Sequence, residues 1–359
     1  LREAISKANA KLRELRFEPW EFNDVAGSPL ISPIIERIEE STFIVADITY
    51  LNPNVIYEIG YSIGSSKRAF LIRHRTIEGD RTLARQVGIF DTLGYQEYDD
   101  ADALCNRLTS HIQPDPLPFN VLLDRKAPVY VVEPAEKNGV GTTMISRLKK
   151  AHYRYRSFNP TEDTRLSAVD AIRQVAASAG ILLLLQDAKG HGDSTSIVHN
   201  TRSLFVAGLS HAMEKPALIL CPAEYDAPLN VRDEVKSFRH PDDIVEHINA
   251  LSLDITDHLQ QVDPAPIDSS TLLQSLSIGD PTAENEMTTL GTYYLRTDEY
   301  SRALRGEVNL VVGRKGSGKT ALFIQVRDKV RIDKRNIVVD LKPEGYQLIK
   351  LKEDILTYL

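Results

Sequence analysis

Over the first 110 residues the apolar positions fall into two kinds of segment. "TFIVADI" (Thr42–Ile48) and "RAFLIRH" (Arg68–His74) are near-continuous apolar runs of strand length. Arg2–Leu15, "PLISPIIERIEES" and the stretch that begins after "LNPN" instead repeat their apolar residues every three or four positions, as helices do. Buried strands alternating with amphipathic helices predict a parallel sheet covered on both faces. The order returns downstream. "APVYVVEP" (Ala127–Pro134) reads as a strand, "TTMISRLKKAHYRY" and "RLSAVDAIRQVAASAG" as helices, "ILLLLQD" (Ile181–Asp187) as a strand, and "RSLFVAGLSHAMEKPALILCP" as a helix and a strand.

That last segment repeats the pattern of "NVIYEIGYSIGSSKRAFLIRH". A shift of 148 residues lays Gly208 on Gly60, Ser210 on Ser62 and Lys215 on Lys67, while a shift of 140 lays Asp187 on Asp47. An eight-residue insertion near "KGHGDSTS" separates the two registers. The reading is two tandem copies of one α/β domain, residues 1–120 and 127–254. By the same alignment the first copy is expected to begin with a strand equivalent to Val129–Glu133. That strand is not in the sequence, which also lacks an initiator Met, so the chain is read as a fragment. Residues 255–291, rich in Pro, Ser and Asp, read as a linker, and residues 292–359 as the start of a further domain.

Composition narrows the function classes. With 50 acidic against 43 basic residues the formal charge of the 359-residue chain is −7, which gives no general affinity for nucleic acid or an anionic membrane. Cys105 and Cys221 are too few for a disulfide framework or a cysteine-rich metal site, and they fit a reducing cytoplasm. No apolar run approaches the roughly 20 residues of a membrane-spanning helix, and the first helix has no signal-peptide core. The nine histidines show no metal-ligand spacing. His191 and Asp193 read as loop, and "KKAHYRYR" (Lys149–Arg156) as one solvated helix face with no nucleic-acid role.

Candidate chemistry concentrates in "VADITYLNPNVIYEIGY". Asp47 ends a strand, where ligands of parallel α/β sheets bind. Asn52 and Pro53 open the next helix with good capping chemistry. Asn54 and Glu58, four apart, form a polar ridge on it, opposite Val55, Ile56, Ile59 and Ile63. One carboxylate can attack a sugar carbon while another group manages the proton of the departing base. The residue types leave equally open that Asp47 caps a loop and that Glu58 is a solvated helix carboxylate.

"IVADITYLNPNVIYEIGY" with "KRAFLI", roughly Ile34–Ile72, resembles the nucleoside 2-deoxyribosyltransferase superfamily, particularly its modules in bacterial defence-type proteins. The resemblance implies a fold related to flavodoxin, with Glu58 as the nucleophile, Asp47 handling the base and Asn54 holding the sugar. The substrate it implies is a nucleoside, a nucleotide or NAD. In the second copy Val206 falls on Glu58 and Arg202 on Asn54, with only Asp187 retained, so that copy is expected to be catalytically silent.

"GRKGSGKT", Gly313–Thr320, matches the phosphate-binding loop G-x-x-x-x-G-K-[ST], with "VNLVV" read as a strand before it and "ALFIQVRDKV" as a helix after it. Gly313, Gly316 and Gly318 let backbone N–H groups turn to phosphate, Lys319 adds charge, and Thr320 can ligate Mg²⁺ beside ATP. Asp340 reads as the end of a second strand. "YYLRTDEYSRALRGEVNLVVGRKGSGKTALF" resembles the start of a bacterial P-loop ATPase family often fused to effector domains. The expected protein is thus a cytoplasmic effector–ATPase fusion of the antiphage-defence type, a homo-oligomer with no membrane contact and no indicated nucleic-acid partner. Its alternative is a pair of nucleotide-sensing or oligomerisation modules that regulate the ATPase.

Overall fold

The structure, a computed structural model, describes residues 1–20, 31–76, 81–110, 121–135, 139–151, 153–187, 194–261, 290–314, 316–332, 336 and 338. The chain divides into two compact units, and Leu1–Asp263 forms the first of them. Its first half runs α1 (Arg2–Lys11), α2 (Ile31–Glu40), β1 (Phe43–Asp47), α3 (Pro53–Gly64), β2 (Arg68–His74), α4 (Arg81–Val87), α5 (Ile89–Leu93), β3 (Gln96–Tyr98) and α6 (Ala101–Ser110). The second half runs β4 (Val129–Val132), α7 (Gly139–Lys150), β5 (Tyr155–Phe158), α8 (Ala168–Ala176), β6 (Gly180–Leu184), α9 (Ser194–Ala212), β7 (Ala217–Pro222), β8 (Lys236–Phe238) and α10 (Ile244–Gln261).

All pairings in both sheets are parallel. The first sheet has the order β1-β2-β3 and the second β5-β4-β6-β7-β8. Alternation along the strands sends residues to opposite faces. In the first sheet Val45, Phe70, Ile72 and Tyr98 meet α1 and α6, while Ile44, Ala46, Ile48 and Leu71 face α2, α3, α4 and α5. In the second, Val129, Val131, Leu182 and Leu184 pack on α7 and α10. Their neighbours Tyr130, Val132, Ile181 and Leu183 join the core that the first half also faces. That apolar core is therefore shared, with the inner helices of both halves between the two sheets.

At its centre α3 packs along α9, and glycine makes the approach possible. A Cβ on Gly208 would stand 2.7 Å from the Tyr61 nitrogen and closer still to the Tyr57 carbonyl oxygen. A Cβ on Gly60 would press on the Phe205 carbonyl and stand 3.2 Å from the Leu209 nitrogen. Gly64 lies against Leu209 and Ala212. The two helices also end alike. Ser66 and Glu214, 148 apart in number, both take left-handed backbone (φ 59° and 52°). Lys67 N–H donates to the Ser62 carbonyl at 2.8 Å, and Lys215 N–H to that of Ser210 at 2.9 Å, each closing the last turn.

Sheet register corrects one part of the repeat alignment. Asp47 pairs with Ile72, and Leu184 pairs with Leu220. Since 220 lies 148 beyond 72, the residue in the place of Asp47 is Leu184, an offset of 137. Asp187 lies three residues past β6 and is not the counterpart of Asp47. A single-residue match can slide along a loop, whereas backbone pairing cannot slip without turning every side chain to the wrong face.

Two more expectations change. The helix read through Tyr155 stops at Lys150, and Tyr155–Phe158 is the edge strand β5. The stretch Lys149–Arg156 is therefore not a helix face: the Tyr153 hydroxyl donates to the Ser252 carbonyl at 2.8 Å, and Arg156 bonds Ala127, Gln174 and Ser178. Tyr-Arg-Ser-Phe has no apolar-polar alternation, since Tyr155 and Phe158 face opposite sides of the sheet, so pairing with β4 and not a period in the sequence makes it a strand. Helix α10 also continues to Gln261, past the boundary read at residue 254.

The second unit, Pro264–Glu344, contains among its described residues α11 (Leu290–Tyr293), α12 (Asp298–Leu304) and α13 (Lys319–Ile332). Thr297 caps α12, Tyr294 and Tyr300 meet edge to face at 5.8 Å, and Ile324 is buried. The strand read at "VNLVV" is not formed. Residues 309–312 are irregular, with Leu310 78% and Val312 83% exposed. A parallel strand needs neighbouring strands to bond its backbone, and none occurs among the described residues of this unit. Lys315, His191, Asp193 and Asp340 lie outside the described residues.

Candidate functional site

Helix α3 starts as its sequence dictates. The Asn52 side chain accepts from Asn54 N at 2.9 Å and Val55 N at 3.5 Å, with Pro53 at the first turn. Ile56, Ile59 and Ile63 are buried, while Tyr57, Gly60 and Gly64 meet α9. The polar ridge of Asn54 and Glu58 is left for a third neighbour. That neighbour comes from the other half. Asn230, buried in the 3₁₀ turn Leu229–Val231 after β7, donates from Nδ2 to Glu58 Oε1 at 3.1 Å and to the Asn54 carbonyl at 3.1 Å. Its own N–H donates to Asn54 Oδ1 at 3.3 Å.

Glu58 is half-buried, and desolvation raises its carboxyl above the usual carboxylate range, with the Asn230 hydrogen bond pulling the other way. Further along, the Tyr61 hydroxyl donates to Glu39 Oε1 at 2.7 Å, and burial first and then Glu39 push Tyr61 up to about 12. The Tyr57 hydroxyl meets His211 Nδ1, which lies 3.4 Å from Glu234 Oε1. Tyr57 is almost fully buried, and that burial raises its phenol strongly.

The structure brings Asn54 and Glu58 together but not Asp47 with them. Asp47 lies on the sheet face that α1 and α6 cover, the opposite face from α3. Its Oδ2 accepts from the Tyr98 hydroxyl at 2.8 Å, and its Oδ1 accepts from Thr49 N at 2.8 Å and from the Thr49 hydroxyl. Asp47 thus ties the strand end to β3 and starts the next turn, so the reading of one cleft lined by both carboxylates is corrected. Strand alternation is the reason, because Ala46 and Ile48, its neighbours, face α3. No sequence pattern singles out Asn230, which lies more than 170 residues from Asn54 and Glu58.

The corresponding face of α9 is built otherwise. Val206, in the place of Glu58, is completely buried. Arg202, in the place of Asn54, donates from Nε to the Val87 carbonyl at 3.1 Å and from Nη2 to the carbonyls of Gln86 and Thr164, with its guanidinium 4.8 Å from the Phe158 ring centre. Desolvation lowers Arg202 to about 10. The exchange is reciprocal: Asn54 reaches the segment after β7 of the second half, and Arg202 reaches α4, after β2 of the first. The ends of β4 and β6 are also filled. His199 Nε2 lies 2.6 Å from the Leu184 carbonyl, the ring bonds the main chain of Glu133, and burial pushes it down to about 4.

In the second unit Gly316 and Gly318 have φ of 79° and 80°, which only glycine adopts freely, and α13 begins at Lys319. The Lys319 ammonium donates to the carbonyls of Gly313 and Arg314, both at 2.6 Å, and Thr320 is exposed beside it. A Cβ on Gly313 would stand 2.6 Å from Ser317 Oγ, so the loop closes tightly around its first glycine. Among the described residues no cluster of His, Cys, Asp and Glu could hold a metal, and no helix is long and apolar enough to cross a membrane.

No family model matches the chain. It is similar to the putative transposon gamma-delta 80.3 kDa protein of Escherichia coli (strain K12), with 34% identity over 77 residues. That match covers 21% of this chain and 11% of the relative.

Proposed function

We propose that the first half of the large unit cleaves or transfers the N-glycosidic bond of a nucleoside, nucleotide or NAD, with Glu58 as nucleophile and Asn54 as the sugar-binding amide. The observation that carries the reading is the Asn230 bridge, which holds a desolvated carboxylate and an amide side by side at the entrance of α3. A carboxylate with few water partners is a stronger nucleophile once ionised. Glu58 would bond to the anomeric carbon as the base leaves with the bonding electrons, and water or a second base would then displace the carboxylate. A deoxyribosyltransferase-like module suits the strand order of the second sheet, which is that of flavodoxin-like α/β proteins. Val206 and Arg202 support the reading that the second half has no nucleophile of its own.

In the same proposal the second unit is the start of a P-loop ATPase. Gly316, Gly318 and the amino end of α13 suit a triphosphate, Lys319 its charge and Thr320 a Mg²⁺ ion. ATP with Mg²⁺ would supply hydrolysis energy or an occupancy signal to a cytoplasmic, bacterial antiphage type of effector–ATPase fusion. The alternative, sensing or oligomerisation modules without glycosidic activity, draws on Asp47, whose side-chain oxygens are both committed to structural bonds. Release of free base or nicotinamide from a panel of nucleosides, nucleotides and NAD, with and without Mg·ATP, separates the two. Activity abolished in Glu58→Ala is the expected result, and no release from any substrate, or full activity of the variant, would sink it.

A further inference from the structure

Arginine is rarely buried without a partner, because a guanidinium stripped of water needs acceptors in return. Two arginines of the large unit keep that rule. Arg156 donates to the Ala127 carbonyl at 3.1 Å and to Ser178 Oγ at 2.6 Å, and Arg202 donates to the carbonyls of Val87, Gln86 and Thr164. Arg73 breaks it. It is 2% exposed and the largest fully buried side chain among the described residues, and its Nη1, sealed from solvent, has no hydrogen-bond partner among them. Its guanidinium lies 5.8 Å from the Tyr95 ring centre, a contact that offsets charge burial only in part. The acid opposite it in register, Glu97 on β3, lies 3.5 Å from Arg75.

The fold itself does not require a cation at this place. The offset of 148 between β2 and β7 lays Cys221 on Arg73, and Cys221 is equally buried. The difference runs with that between Glu58 and Val206, so the half that carries the carboxylate is also the half that carries the buried cation. Arg73 stands at the carboxyl end of β2, where parallel sheets bind their ligands. Alternation turns it to the face of Leu71, which α3 covers, and away from the face of Ile72 and Asp47.

We infer that Arg73 binds a phosphate oxygen of the substrate, so that the site takes nucleotides in preference to free nucleosides. The inference rests on the glycosidic reading of Glu58 and narrows its substrate class. A phosphate supplies what Nη1 lacks, since its oxygens match the fork of a guanidinium and carry the compensating charge. Tyr95, half-buried over the guanidinium, turns aside as the ligand enters.

The probes are ribose 5-phosphate, inorganic phosphate and ribose, added to the whole chain labelled with ¹⁵N-arginine. The Arg73 Nε–H signal is assigned by its loss in Arg73→Met. Both phosphates should move that signal and ribose should not. No movement by either phosphate, movement as large with ribose, or equal movement by sodium chloride of the same ionic strength overturns the inference. Unfolding of the ligand-free Arg73→Met chain tests the unpaired cation. Its midpoint is expected to stay or rise, because an apolar side chain of similar length removes an uncompensated buried charge. A fall of more than about 6 °C is the cost of breaking a pair within the chain, and it overturns the inference. Where base is released, Arg73→Met should lower kcat/KM for a nucleoside 5′-monophosphate by about tenfold or more and leave that for the nucleoside within about twofold. Equal losses on both overturn the phosphate contact. Phosphate binding at Arg73 without base release from any substrate supports the anion site and sinks the glycosidic reading alone.

Discussion

Replacing Gly60 or Gly208 by alanine tests the helix crossing on which the large unit is built. A Cβ on Gly208 would stand 2.7 Å from the Tyr61 nitrogen, 3.0 Å from the Tyr57 carbonyl carbon and nearer to its oxygen. Relief requires α3 and α9 to separate by about 1 Å, because carbon contacts settle near 3.5 Å. The obstructing atoms are backbone, so no rotamer change can absorb the clash. Overpacking of this kind typically costs about 1–3 kcal/mol and sometimes more, against a helix-propensity gain of about 1 kcal/mol for Gly→Ala. A larger cost is expected here, about 2–4 kcal/mol for each variant, since the separation also loosens the surrounding shared core. Urea unfolding followed by near-ultraviolet circular dichroism reads it out. The double variant should cost less than the sum of the singles, because the first methyl already opens the gap that the second needs. Gly291→Ala, whose Cβ would meet only the Gln325 side chain at 3.8 Å, is the control for propensity alone. Gly60→Ala and Gly208→Ala variants as stable as the parent would refute the close crossing.

Arg202→Met keeps the stem but leaves the Val87, Gln86 and Thr164 carbonyls without their donor, and should destabilise the large unit by about 2–3 kcal/mol in the same assay. Stability that is unchanged would show that these carbonyls find water. Because burial raises the Glu58 carboxyl in the folded state, its contribution to stability is full below its ordinary pKa and is lost as pH rises through the raised value. The stability of Glu58→Gln relative to the parent should therefore grow as pH rises above the ordinary glutamate pKa of about 4, and a constant or shrinking difference would contradict the desolvated carboxylate. Asn230→Ala removes a hydrogen bond that favours the ionised form, so the acidic limb of any base-release profile should move to higher pH, whereas movement to lower pH would be fatal to the assigned bond. Lys319→Ala should abolish binding of a fluorescent ATP analogue while leaving the unfolding of the large unit unaltered, and retained affinity would remove Lys319 from the phosphate site.

Much of this arrangement was legible in the residues. The start of α3 follows from Asn52 and Pro53, the strand Arg68–His74 from its apolar run, and the repeat from glycines 60 and 208. These features are local or self-similar, and local propensity suffices for them. The edge strand at Tyr155–Phe158 was missed because it carries no apolar-polar alternation and is set by its pairing with β4, and the strand read before Gly313 failed for want of neighbours among the described residues.

Asn54 and Glu58 were found by their spacing of four on one helix, a periodicity that chain chemistry fixes. Asn230 was not, because it meets them from a turn more than 170 residues away in sequence. Asp47 stood in the right strand, yet the side of the sheet it faces depends on pairing register, and register turned it to Tyr98 and away from α3. The sequence by itself determined the strands with continuous apolar runs, the helices with a clear apolar period, and which residues can carry charge or nucleophilicity. Only the tertiary structure decided which of them meet, because that depends on two halves closing over one core through a helix crossing that glycine alone permits.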